Sequence, residues 1–309
     1  MNWILSILLI LAGFLCLVKG ADWFVDGASG LAKKWGVSAL VIGLTIVAFG
    51  TSAPELAVSM TAALEGANEI AVGNVVGSNI FNLLVVAGLS ACIYPLVIDP
   101  VLLKRDWPLS NIAALVLTLM LLGDQTITRW EGFLLLVLFA GMLVKQLSKA
   151  KKEKDKESKP EVRSYPVLIL LLMAGIITIV IGGKLAVEGA RRLALLLGWS
   201  QTLIGLTIVA IGTSLPELMT SIIAARKGEN EIAMGNVIGS NLFNILCILG
   251  LSSVVHPITV QPTAIYDSLI LMGVSTFYWI LAKRFQLDRK LGICMIFTYI
   301  LYTIYIVFR

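Results

Sequence analysis

The chain has 309 residues, 58% of them hydrophobic and only 14% charged, with a mean hydropathy of +0.92. An ordinary soluble domain is about 25% charged, so this composition excludes a soluble enzyme or a nucleic-acid-binding domain and makes the lipid bilayer the solvent. The net charge of +5 therefore bears on topology rather than on acidic partners, because cytoplasmic loops of membrane proteins collect Lys and Arg.

A spanning helix needs about 20 mostly apolar residues, and the length has room for about ten. In chain order the predicted spans are Trp3 to Val18, Val37 to Leu64, Ile70 to Cys92, Trp107 to Leu122 and Trp130 to Leu147. After the hydrophilic segment Lys149 to Arg163 come Tyr165 to Val187, Trp199 to Ala225, Ile232 to Val255, Ala264 to Ala282 and Leu291 to Phe308. The first stretch lacks the basic region and small-residue cleavage site of a signal peptide, so it is expected to be retained. Cys16, Cys92, Cys247 and Cys294 are solitary in or beside apolar runs, which suggests neither a disulfide framework nor a zinc site. His256 precedes Pro257 after a hydrophobic run and reads as a loop residue.

An internal duplication sets the architecture. Gly43 to Leu56 (GLTIVAFGTSAPEL) matches Gly205 to Leu218 (GLTIVAIGTSLPEL) at 12 of 14 positions, at an offset of 162. At the same offset, Asn68 to Leu84 matches Asn230 to Leu246 at 13 of 17 positions. Five spans per half means that each half ends on the side opposite its start, so the second half inserts upside down. The expected fold is an all-α polytopic membrane protein of ten transmembrane helices in two inverted five-helix repeats, 1–148 and 164–309, joined by a linker at 149–163. Such repeats place ion sites near the membrane midplane at their interface. With the N-terminus outside, the inner loops hold 19 of the 24 Lys and Arg residues, so both termini are predicted outside and the linker cytoplasmic.

Apart from the span ends, the apolar interior carries two acids, Glu55 and Glu217, at equivalent positions of the repeats. A carboxylate at mid-bilayer costs at least about 2.5 kcal/mol and usually marks an ion pathway. The alternative is pairing with a basic residue of a neighbouring helix, but none lies in the middle of a span. Each Glu follows a proline, Pro54 or Pro216. Proline lacks an N–H and clashes with the carbonyl four residues earlier, so carbonyls from Ala48 to Gly50, and from Ala210 to Gly212, are expected to be partly free. Thr51 and Ser52, and Thr213 and Ser214, place hydroxyls beside each break. Ser78 and Asn82, like Ser240 and Asn244, are four apart on one helix face. Gly73 and Gly77, Gly235 and Gly239, Asn74 and Asn236 read as helix-packing residues. All these candidate ligands are hard oxygens, which select sodium, calcium or magnesium over transition metals. Magnesium dehydrates reluctantly and seldom sits in an all-protein cage. Two carboxylates match one calcium ion, and competing sodium ions or protons would replace it.

These segments, GTSxPEL and GNxxGSNxFN each present twice, resemble the sodium/calcium exchanger family of the cation/calcium antiporter superfamily over nearly the whole chain. The resemblance implies ten helices and calcium between Glu55 and Glu217 with Thr51 and Thr213 as further ligands. It also implies sodium sites with Ser52, Ser78, Ser214, Ser240 and the carbonyls of Ala48 and Ala210, and alternating access by sliding of the first and sixth helices. Asn82 and Asn244 are both neutral where potassium-dependent members carry an acid in the second repeat, which argues against potassium co-transport. The short linker has no room for the regulatory insert of animal exchangers.

A proton-coupled calcium antiporter is the nearest alternative, but that branch resembles a different pattern, without the Thr-Ser pair before Pro-Glu. A cation channel ranks below it, since inverted repeats with broken helices suit alternating access. No HExxH, GxSxG or nucleophile–base set occurs, so no enzyme activity is expected, and no cofactor beyond the transported ions. The expected partners are calcium, sodium and the bilayer, without nucleic acid, and a monomer suffices for transport.

Overall fold

The computed structural model describes residues 3–150, 163–198 and 210–308. The linker residues 151–162 and the start of the seventh predicted span, 199–209, lie outside the described residues. The helices are α1 (Trp3–Trp35), α2 (Ala39–Thr51), α3 (Ala53–Leu64), α4 (Ile70–Ile93), α5 (Leu102–Asp124), α6 (Arg129–Ala150), α7 (Tyr165–Leu196), α8 (Ala210–Thr213), α9 (Leu215–Arg226), α10 (Asn230–Val255), α11 (Pro262–Ala282) and α12 (Arg289–Phe308). Eight of the described helices are long and apolar enough to cross a membrane, and α2 with α3 makes a ninth span bent by 50°. The pair α8 and α9 is the described part of the tenth.

The first span is longer than its hydropathy suggests. Lys19, Asp22 and Asp26 interrupt the apolar run, but the helix continues to Trp35 because Ala21, Phe24, Val25 and Ala28 are fully buried. Its counterpart α7 likewise runs on to Leu196. At 1.5 Å per residue each is about 50 Å long, against a hydrocarbon core of about 30 Å, so both must tilt or project from the membrane.

These two helices pack along each other through glycines seven residues apart, Gly13, Gly20 and Gly27 on α1 and Gly175, Gly182 and Gly189 on α7. A methyl group on Gly175 would sit 2.6 Å from the Phe24 backbone nitrogen, and one on Gly182 would sit 2.8 Å from the Gly13 carbonyl. Gly13 faces Gly182 and Ala186, Gly20 faces Gly175 and Ile179, and Gly27 faces Leu168 and Leu172. Residue numbers rise on one helix as they fall on the other. Counterpart helices of the two repeats therefore run antiparallel, which is the inversion expected from an odd number of spans.

The remaining helices form the core. Helices α4 and α10 lie at its centre, and both contain a wide π turn, at Asn82–Val86 and Phe243–Ile248. Such turns recur at functional sites because the extra residue re-aims the side chains around it. Short antiparallel pairings tie the repeats together at both ends. Strands β1 (Thr126–Ile127) and β2 (Ile258–Thr259) join at one, and Leu96 bridges Leu287 at the other. His256 is an exposed residue at the end of α10, as expected.

Candidate ion-binding site

The break in each bent span falls at a serine. Ser52 (φ −84°, ψ 11°) separates α2 from α3, and Ser214 (φ −91°, ψ 6°) separates α8 from α9. Proline occupies the first turn of α3 and of α9, where its missing N–H would have had no helical partner. Pro54 and Pro216 therefore start a new helix rather than kink an old one. The first-turn positions Glu55 and Glu217 follow directly, and both side chains are fully buried.

Placing the break at the serine changes two expectations. The Ala48 carbonyl is not loose: it accepts from Ser52 N at 3.0 Å, because the backbone stays helical up to Thr51. A second lone pair leaves it able to coordinate. Nor do the hydroxyls serve the glutamate of their own helix. Ser52 Oγ donates to Glu217 at 2.7 Å, and Ser214 Oγ to Glu55 at 3.0 Å. Thr213 stands beside Glu55, and Thr51 and Ser240 stand beside Glu217. The two broken helices cross at the pseudo-two-fold axis, so each repeat's hydroxyls meet the other repeat's acid. Ser78 joins the cluster with its Oγ 3.1 Å from Ser214 Oγ. Ala210 opens α8, and its side chain and the residues before it lie outside the described residues.

Asparagines hold this cluster in place. Asn74 Nδ2 donates to the Glu55 carbonyl and to Ser59 Oγ, at 3.2 and 3.0 Å, and Asn236 makes the same pair of bonds to Glu217 and Ser221. Asn236 Oδ1 accepts from Thr51 Oγ1 at 2.9 Å. On the axis itself, Asn79 and Asn241 exchange side-chain-to-carbonyl bonds at 3.1 and 3.3 Å. Their own Oδ1 atoms accept from Asn244 Nδ2 and Asn82 Nδ2 respectively. This fixes both amides of Asn82 and Asn244 and leaves their Oδ1 atoms over. Asn74, Asn79, Asn236 and Asn241 are thus positioning residues that sequence reasoning treated as packing or passed over. Their presence at the 162-residue offset was the available signal.

Five buried oxygens of this cluster have no hydrogen-bond partner: Glu55 Oε2, Glu217 Oε2, Asn82 Oδ1, Asn244 Oδ1 and Ser240 Oγ. A buried polar atom left unsatisfied costs about 1–3 kcal/mol, so five together rival the whole stability of a typical fold, about 5–15 kcal/mol. The two carboxylates are also close enough to repel one another. Among the described residues no ion pair involves Glu55 or Glu217. Among these residues, pairing with a basic side chain is not what accounts for the two acids. Oxygen ligands only, charge −2 and no group of three His, Cys, Asp or Glu side chains among the described residues make this donor set one for hard cations.

The sodium/calcium exchanger protein family model matches residues 5–148 and 167–308. The chain belongs to that family. It is 38% identical to a putative antiporter, CaxA, of Alkalimonas amylolytica, over 94% of this chain and 93% of the relative. It is 33% identical to the sodium/calcium exchanger MaX1 of Methanosarcina acetivorans, over 97% of each. Its fold is similar to that of the sodium-calcium exchanger NCX_Mj, with a TM-score of 0.87 at 33% identity, covering 99% of this chain and all of the solved one. As a member of this exchanger family the chain is a multi-pass membrane transporter and not an enzyme.

Proposed function

We propose that the protein exchanges sodium ions for calcium ions across the membrane by alternating access. The observation that carries this reading is the cluster of unpartnered buried oxygens around two reciprocally held carboxylates. One calcium ion neutralises Glu55 and Glu217 and is completed by Thr51 and Thr213. Sodium ions take the same carboxylates together with Ser52, Ser78, Ser214, Ser240 and the carbonyls of Ala48 and Ala210. Competition for the carboxylates couples the two fluxes, because an empty site of charge −2 is too costly to carry through the apolar interior. The neutral amides of Asn82 and Asn244 add oxygens without adding charge, so potassium is not carried along.

The moving part in this reading is the α1–α7 pair, which its glycine seam makes one unit, sliding against the core. The two repeats, 1–148 and 164–309, are joined by a cytoplasmic linker, with both termini outside, and a monomer is the transport unit.

The test is calcium uptake into sodium-loaded proteoliposomes diluted into sodium-free buffer at constant pH, with potassium-loaded and acid-loaded vesicles alongside. Uptake that requires internal sodium is expected. Uptake driven by a proton gradient without sodium would replace the reading with proton-coupled antiport at the same carboxylates.

A further inference from the structure

The linker-side half of α1 carries Asp22, Asp26, Ser29 and Lys33, spaced four, three and four residues apart and so lying along one helix face. This stripe meets the turn between α9 and α10. Lys227 Nζ lies 2.7 Å from Asp22 Oδ1 and 2.6 Å from Asp26 Oδ1, and donates to the Asp22 carbonyl at 2.9 Å. Two residues on, Glu229 pairs with Lys33 at 3.7 Å and accepts from Ser29 Oγ. Arg163, at the end of the linker, reaches Asp26 at 3.5 Å. The turn follows α9, the helix that holds Glu217. These contacts therefore join the two-helix unit to the core, and the acids-then-lysine order on α1, met by lysine then acid on the turn, fixes its position along the axis.

The 162-residue offset carries Asp22, Asp26 and Lys227 onto Lys184, Glu188 and Glu65. The outer pair of this set keeps opposite signs, with the polarity swapped: lysine is now on the long helix and the acid on the turn. At this end no clasp is made. Glu188 is held on its own helix by Arg191 at 2.9 Å and Arg192 at 2.6 Å, and among the described residues Lys184 and Glu65 form no ion pair. Helix packing shows the same asymmetry. α1 packs along α9, whereas the equivalent packing of α7 along α3 is nearly absent among the described residues.

We propose that the Lys227 clasp on Asp22 and Asp26 is a latch holding the linker side shut. Lys184 and Glu65 are its counterpart, formed only when the α1–α7 unit has moved to close the opposite side. This rests on the alternating-access reading above. Partly exposed ion pairs are individually weak, which suits a contact that must break in every cycle. It biases the two states without trapping either.

The experiment uses the full chain with its four cysteines replaced, reconstituted in proteoliposomes, with Thr61→Cys on α3 or Ile223→Cys on α9 as a reporter for a polar thiol reagent. Lys227→Ala is expected to raise labelling at Ile223→Cys and lower it at Thr61→Cys, each by about two- to fivefold, the product matching the loss of two weak ion pairs. The charge exchange Asp22→Lys, Asp26→Lys, Lys227→Glu is expected to restore the original pattern. A Glu65→Cys, Lys184→Cys pair is expected to form a disulfide, faster in the Lys227→Ala background. Reporters that do not respond to Lys227→Ala overturn the latch, and a reporter shift without the cross-link overturns the counterpart. Sodium-driven calcium uptake by the parent protein, measured in the same vesicles, separates these failures from failure of the exchange reading itself.

Discussion

Helices α3 and α9 begin with the same proline–glutamate step, occupy equivalent places in the two repeats and hold equivalent carboxylates, yet their surroundings differ. On α9, Ile223 is 6% exposed, and Pro216 and Thr220 are buried. On α3, the equivalent Thr61 is exposed, and Pro54 and Val58 are half-buried. Around the carboxylates the two halves remain nearly matched, with Ser52 on Glu217 answered by Ser214 on Glu55, and Asn74 answered by Asn236. The symmetry is thus kept around the two carboxylates and broken where the two-helix unit rests. Pseudo-equivalent sequence is enough to build a two-sided site. An exchanger must nevertheless be asymmetric at any instant, open to one side and shut to the other.

Breaking the symmetric part should have the largest effect. Glu55→Gln or Glu217→Gln removes half the charge of the site. Either change should lower sodium-driven calcium uptake by more than the roughly 10- to 100-fold typical of losing an outer-shell partner. Near-normal flux in either variant would sink the two-carboxylate site.

The bracing asparagines come next. Asn74→Ala and Asn236→Ala each free a glutamate carbonyl and a serine, and should weaken calcium binding by about 10- to 100-fold, read by calorimetric titration of the purified protein. The asymmetry itself predicts that Thr61→Cys reacts with a polar thiol reagent roughly tenfold or more faster than Ile223→Cys, because access governs thiol modification. Equal rates would mean that the two helices are equally covered.

The smallest effect concerns the seam. Gly175→Ala drives a methyl group into the backbone at Phe24 and should destabilise the protein by about 1–3 kcal/mol. Gly141→Ala, with no described atom within 4 Å of the new methyl group, should be neutral or stabilise by up to about 1 kcal/mol. Thermal midpoints in detergent compare the two, and equal midpoints would remove the argument that the seam locks α1 to α7.

Much of the site was legible from residue types alone. Two acids in an apolar chain, each after a proline and flanked by hydroxyls, stand out because burying a carboxylate is costly and nothing in the spans could neutralise it. Glu55, Glu217, Ser52 and Ser214 are all fully buried. Less legible was the partner of each hydroxyl. Local spacing puts Thr51 and Ser52 beside Glu55, but the break at Ser52 and the crossing of the two bent spans hand Ser52 to Glu217. The glycines of the seam repeat every seven residues and at the 162-residue offset, a pattern that hydropathy passes over because it weighs glycine only weakly. The lower half of α1 was missed for the opposite reason: Lys19, Asp22 and Asp26 lower the hydropathy without ending the helix.

By itself, then, the sequence determined the membrane setting, the duplication, its inversion and the chemical class of the ligands. Hydrophobicity, repeat offset, the parity of the spans and residue type are all properties of the chain read in one dimension. Tertiary structure decided which acid each serine serves, which asparagines brace the carbonyls, and which side of the site is covered. Those depend on two antiparallel repeats meeting across an axis and on where a rigid two-helix unit comes to rest. Two nearly identical segments cannot encode a difference that arises from their packing.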